Sequence, residues 1–149
     1  MESKVLSVVN ELIETSKDGE KGFTKSAEEV KEPQLKSLFL TRAQRCGTAA
    51  RELEEKVRVL GGKPEDGGSV AGALHRGWVN VKAAVTGHDT AAILAETERG
   101  EDYAKRAYEK ALEEELPADL RQLIERQYHG VVANHDKVRD LRDTYKTKN

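Results

Sequence analysis

Two carboxylates and one histidine carry most of the chemical potential of this chain. Glu101 falls halfway along a stripe of apolar and small residues, Leu94, Thr97, Glu101, Ala104, Tyr108 and Leu112, set at three- and four-residue steps. An apolar residue is the default there on a helix with one buried face. Glu20 flanks a second stripe, level with Gly19, and His135 lies on a third, with Tyr128, Val131 and Val138. Carboxylates and an imidazole gathered inside a bundle are ligands for iron or another divalent metal, so Glu20, Glu101 and His135 are the candidate metal ligands. Held by a basic partner, the same residues make a structural polar layer instead. Arg45, which borders the inward stripe of its own helix near the centre, is the partner expected for that layer.

Other chemistry has little footing. Gly-rich phosphate loops, Cys/His clusters and nucleophile motifs are all missing, and His135-Asp136 is an isolated dipeptide. Cys46, set among alanines, reads as a small buried hydrophobe. No catalytic or cofactor-binding residue is therefore assigned.

The elements that must position these residues are helices. A chain of 149 residues fits one domain, 1–149. With 35% charged residues and only 5% aromatic, it has the profile of a helical bundle with solvated outer faces, not of a sandwich or barrel. A net charge of -2, with both signs interspersed, gives no field for nucleic acid. No apolar run approaches the roughly 20 residues that cross a bilayer. The first residues become charged too soon for a signal peptide, and a single cysteine excludes an internal disulfide; the expected location is the cytoplasm.

Four long helices are expected, over 3–31, 33–60, 89–116 and 118–145. Pro33 and Pro117 each suit the first position of a helix and mark tight junctions, so the helices form two antiparallel hairpins. Gly61-Gly62 ends the second helix. The segment 61–88 between the hairpins is a long crossover with a short extra helix over 69–86. Its Val70, Leu74 and Trp78 form an apolar side, expected either to rest on the bundle or to serve as an interaction surface. A connection this long makes the second and third long helices parallel, the arrangement of a ferritin-like four-helix bundle. Counting equal steps from the junctions, and setting Gln34 level with Thr90, places Glu20, Arg45, Glu101 and His135 in or near one layer. With Arg45 as counter-charge, the two carboxylates are expected to be held as anions.

Five stretches carry a resemblance: DGEKGF in the first helix, FLTRAQRCGTAARELE in the second, GSVAGALHRGWVNVK in the crossover, GEDYAKRAYEKAL in the third and NHDKVRDLRD in the fourth. On these the chain resembles a bacterial family of four-helix-bundle proteins of unknown function in the ferritin-like superfamily. The superfamily's best-known chemistry is a di-iron carboxylate site, which needs a Glu from each of two helices and a Glu-x-x-His from each of the other two. The second helix has no His, and Glu125 is followed by His129 at four residues, not three. The expectation is a non-enzymatic bundle acting by self-assembly or partner binding, as a homo-oligomer or with another protein, with a role in stress tolerance. The alternative is an iron-binding redox or storage protein with a degenerate site.

Overall fold

A computed structural model describes residues 3–64, Trp78 and residues 90–147. Four helices account for nearly all of them: α1 (Ser3–Glu29), α2 (Pro33–Val59), α3 (Thr90–Leu112) and α4 (Ala118–Thr147). The described residues contain no strand. The described residues form an all-α four-helix bundle. No described helix is long and apolar enough to cross a membrane. The short helix expected over 69–86 lies outside the described residues, as do Val70 and Leu74.

Local chemistry explains where the helices begin and end. Glu32 is extended (φ -72°, ψ 121°), as a residue before proline must be, and Pro33 opens α2. At the other end of α2, Gly61 takes φ 85° and the chain closes with two bonds, Gly62 N to Val57 O (2.8 Å) and Gly61 N to Arg58 O (3.0 Å). This pair satisfies carbonyls that the last turn of a helix leaves open, and the left-handed residue it requires favours glycine. The α3 helix ends at Leu112, four residues short of the expected end. Arg121 fills the gap: its Nη1 and Nη2 donate to the carbonyls of Leu112 and Glu114 at 3.1 and 2.6 Å.

Apolar residues at helical spacing collect into two clusters along the bundle axis. One joins Val5, Val9, Leu12 and Ile13 of α1 to Leu53 and Val57 of α2, Tyr108 and Ala111 of α3, and Leu120 and Ile124 of α4. The other joins Phe23 and Val30 to Leu35, Phe39 and Cys46, with Ile93 and Leu94 of α3 and Val138 of α4. The N-terminal half of α1 thus meets the C-terminal halves of α2 and α3 and the N-terminal half of α4. The helices therefore run up, down, down, up. Glu32 ties the start of α2 to the start of α3, accepting from Thr90 Oγ1 at 3.0 Å. Among the neighbouring helix pairs, α2 and α4 touch least.

Candidate functional site

The two apolar clusters leave a polar layer between them. Facing into it are Thr15 and Ser16 of α1, Arg42 of α2, Thr97 and Glu101 of α3, and His135 of α4, all buried. Small residues let the helices close around it. A Cβ on Gly19 would lie 2.8 Å from Cys46 Sγ, so α1 and α2 make their close approach there, as the mid-helix glycine implies.

Arg42 and Glu101 form the centre of the layer. Arg42 Nε donates to Glu101 Oε1 at 3.3 Å across the diagonal between α2 and α3, with both side chains buried. Arg45, expected in this role, is exposed. The correction amounts to three residues along α2, and it follows from register and helix face. Glu32, not Gln34, stands level with Thr90, which brings Arg42 and Ala43 to the level of Glu101; Arg42 lies on the buried face of α2 with Phe39 and Cys46, and Arg45 does not.

Burial pushes the Glu101 carboxyl above the usual carboxylate range. Arg42 pulls it back, with help from Asn134 and His135, but leaves it raised. The contact explains the imbalance: one bond of 3.3 Å serves one oxygen, while Oε2 is buried without a hydrogen-bond partner. The Asn134 side chain acts on this carboxylate as a hydrogen-bond donor from α4, although Asn134 Nδ2 and Glu101 Oε2 fall short of full hydrogen-bond geometry. The expectation that the carboxylates are simply held as anions is corrected accordingly for Glu101. Burial opposes the charge on Arg42 too, but Glu101 overrides it and the guanidinium stays firmly protonated. Burial pushes the Cys46 thiol up to about 12, so it is a neutral wall.

The remaining candidates turn to separate partners. Glu20 is half-buried with its carboxylate over Gly47, where an added Cβ would sit 2.9 Å from its Cδ and 3.4 Å from Arg51 Nη1. His135 places Nε2 on Asp102 and Nδ1 on Asp136 Oδ1, the latter at 3.1 Å. Equal steps back from the Pro117 junction would put residues 131–132 opposite Glu101 and His135 one turn beyond. The structure brings His135 to the neighbouring Asp102, one turn further along α4. Among the described residues, no three His, Cys, Asp or Glu side chains converge as metal ligands.

Two features stand beside the pair, the first expected in one of its two forms and the second not read from the sequence. Trp78, expected on an interaction surface or at rest on the bundle, is buried between α1 and α3. An added Cβ on Gly22 would come within 2.6 Å of its ring atoms Cδ2 and Cζ3, and one on Gly100 within 2.8 Å of Nε1. The indole also stands edge-on to Phe23, with centroids 5.1 Å apart at 76°. Gly22 and Gly100 were the available signal: each makes sense in a helix interior only where something large approaches. The second feature is a clasp. Tyr108 donates from its hydroxyl to Gln127 Oε1 at 2.7 Å, and Gln127 Nε2 donates to Ala49 O and Glu52 Oε1 at 3.3 and 3.2 Å. Arg126 Nη2 completes it on Glu52 Oε2 at 2.9 Å.

Beside the clasp, between α2 and α4, lies a cavity of about 470 Å³. Arg42, Glu101, Trp78 and Tyr108 line it, and the exposed Arg45 and Arg126 also border it. The charge pair, the indole and the weakest helix seam therefore meet at one place. Residues 4–114, which span α1 to α3, match the family described as "Domain of unknown function (DUF2383)". The chain belongs to that family. Both members of the charge pair, Trp78 and its two glycines fall within the matched residues; α4, with Gln127 and His135, lies beyond them. None of the curated proteins matches the chain.

Proposed function

We propose that this protein is a non-enzymatic bundle of ferritin-like topology, acting through what it binds or assembles with and not through chemistry at a metal. The parallel run of α2 and α3 supports the topology, since the connection between hairpins must then travel the length of the bundle. The single observation that carries the functional reading is the Arg42 guanidinium on Glu101. Glu101 is the most deeply buried of the three candidate ligands. A permanent cation bonded to it repels a second cation from the same oxygen, and Arg, unlike Lys, does not give up its charge. Glu20 and His135, directed at Gly47 and Asp102, would both have to swing away to join it.

Anaerobic loading with Fe(II), followed by oxygen exposure, tests this against the iron-storage or redox alternative. The expected result is less than about one tightly held iron per chain and no rapid oxygen consumption. About two irons per chain with rapid oxygen uptake, the behaviour of a di-iron carboxylate site, would contradict it. Self-association belongs to the same proposal. On it, sedimentation at rising concentration should show a dimer or larger species, or a protein partner should be recovered with the chain.

A further inference from the structure

The cavity between α2 and α4 runs from the surface of the bundle towards its centre. Arg45, Thr48 and Arg126 at its outer end are exposed, and Trp78, Ala104 and Tyr108 at its inner end are buried. The hydroxyls of the inner wall are already used. Thr15 Oγ1 donates to Glu11 O at 2.7 Å, Ser16 is hydrogen-bonded to Tyr108, and Tyr108 donates to Gln127 Oε1. Glu101 shares the buried face of α3 with Ala104 and Tyr108, and its charge is met by Arg42. What the inner end offers a guest is therefore chiefly carbon, the indole above all. A volume of about 470 Å³ is in the ordinary range of small-molecule sites, which gain most of their affinity by burying an apolar body.

The charge of the guest is decided at the outer end. Among the described residues, the charged side chains lining the cavity are Arg42, Arg45, Glu52, Glu101 and Arg126. Two pairs account for four of them, Glu101 with Arg42 and Glu52 with Arg126, the second at 2.9 Å. Glu52 also accepts from Gln127 Nε2 at 3.2 Å, so both of its oxygens are taken. Arg45 has no carboxylate partner among the described residues. It precedes Glu52 by two turns of α2, about 10 Å along the helix, and so stands clear of that pair. An anion at this end gains the planar, two-pronged donor that suits a carboxylate. A cation finds both lining carboxylates paired and Arg45 repelling it. We propose that the cavity binds a small monocarboxylate with an apolar, ring-sized body, the ring against Trp78 and the carboxylate on Arg45. Such a site gives the binding role proposed above its ligand. Neither Trp78 nor Arg45 takes part in the Arg42–Glu101 bond, so iron loading and carboxylate binding can each fail alone.

Trp78 is the chain's single tryptophan and lines the cavity, so its fluorescence reports occupancy. The probe is 3-phenylpropionate. Its analogues 3-phenylpropanamide and 3-phenylpropylamine keep the ring and change the charge, and acetate keeps the charge without the ring. 3-Phenylpropionate is expected to change the fluorescence saturably, with a Kd of about 1 mM or tighter. It should bind about fivefold more tightly than the amide or the amine, about the most that an exposed charge pair contributes. Acetate, with no apolar body to bury, should bind about tenfold more weakly or worse. Arg45 is exposed, so Arg45→Met should fold, keep its affinity for the amide and lose the preference for carboxylate over amide. If Arg45→Met does not fold, Arg45→Gln replaces it with the same outcomes. Absence of a saturable change with 3-phenylpropionate would overturn the proposal. So would an amide or amine that binds as tightly, acetate binding as tightly, or a carboxylate preference that survives in the folded Arg45 variant.

Discussion

Glu101 sits where its environment only partly supports a charge, and its titration should show this. Burial raises its folded-state pKa above the ordinary carboxylate value, and Arg42 does not cancel the rise. Between the unfolded and folded values, the folded protein keeps a proton that the unfolded chain has released. Stability from this group therefore falls as pH rises through that window and returns on acidification. Glu101→Gln removes the titration while keeping the shape. In urea unfolding between about pH 7 and about pH 5, wild type should gain stability relative to Glu101→Gln as pH falls. A difference that is constant, or that moves the other way, would show that Arg42 holds the carboxylate as a settled anion. The stripe through Glu101 made this residue legible from spacing alone. Its partner was not. Arg42 and Arg45 lie three residues apart and project about 60° from each other around α2, and only Arg42 falls on the buried face with Phe39 and Cys46. Glu32 and Thr90, two residues at helix ends that no inward stripe includes, set Arg42 at the level of Glu101.

At the scale of the helices, three of the internal glycines differ in what they face. Gly100 and Gly22 make the notch in which Trp78 lies, whereas Gly130 faces open space. Replacing a mid-helix glycine by alanine gains up to about 1 kcal/mol in helix propensity. At Gly130 nothing opposes that gain, so Gly130→Ala should be stabilising by about 0.5–1 kcal/mol. At Gly100 the added Cβ meets the indole 2.5 Å from Cζ2, and overpacking a core typically costs about 1–3 kcal/mol. The clash wins there, because the ring is itself held by Phe23 and cannot slide away freely. Gly100→Ala should therefore be destabilising, and thermal unfolding of the two variants side by side checks the sign of each. The ends of α2 could be read from Pro33 and Gly61 because backbone geometry alone selects those residues. The Trp78 notch could not, since it joins positions 22, 78 and 100, which only the fold brings together.

For the whole molecule, the account is of a bundle with two apolar ends and a charged middle. The apolar ends follow from periodicity, which is why the four helices and the hairpin pairing were legible before any coordinates. The middle depends on how the two hairpins are set against each other, and there a shift of less than one turn decided which α2 residues stand level with Glu101. The same geometry leaves α2 and α4 least closely packed beside the charge pair, and so produces the cavity. The central claim is that Arg42, bonded to Glu101, holds this middle. It is tested most directly by denaturant unfolding of Arg42→Met beside Arg45→Met at neutral pH. Removing one member of a buried pair leaves the other charge uncompensated and typically costs about 3–5 kcal/mol, so Arg42→Met should lose about that much. Arg45 is exposed, and Arg45→Met should stay within about 0.5 kcal/mol of wild type. Equal losses in the two variants, or a larger loss in Arg45→Met, would contradict the account.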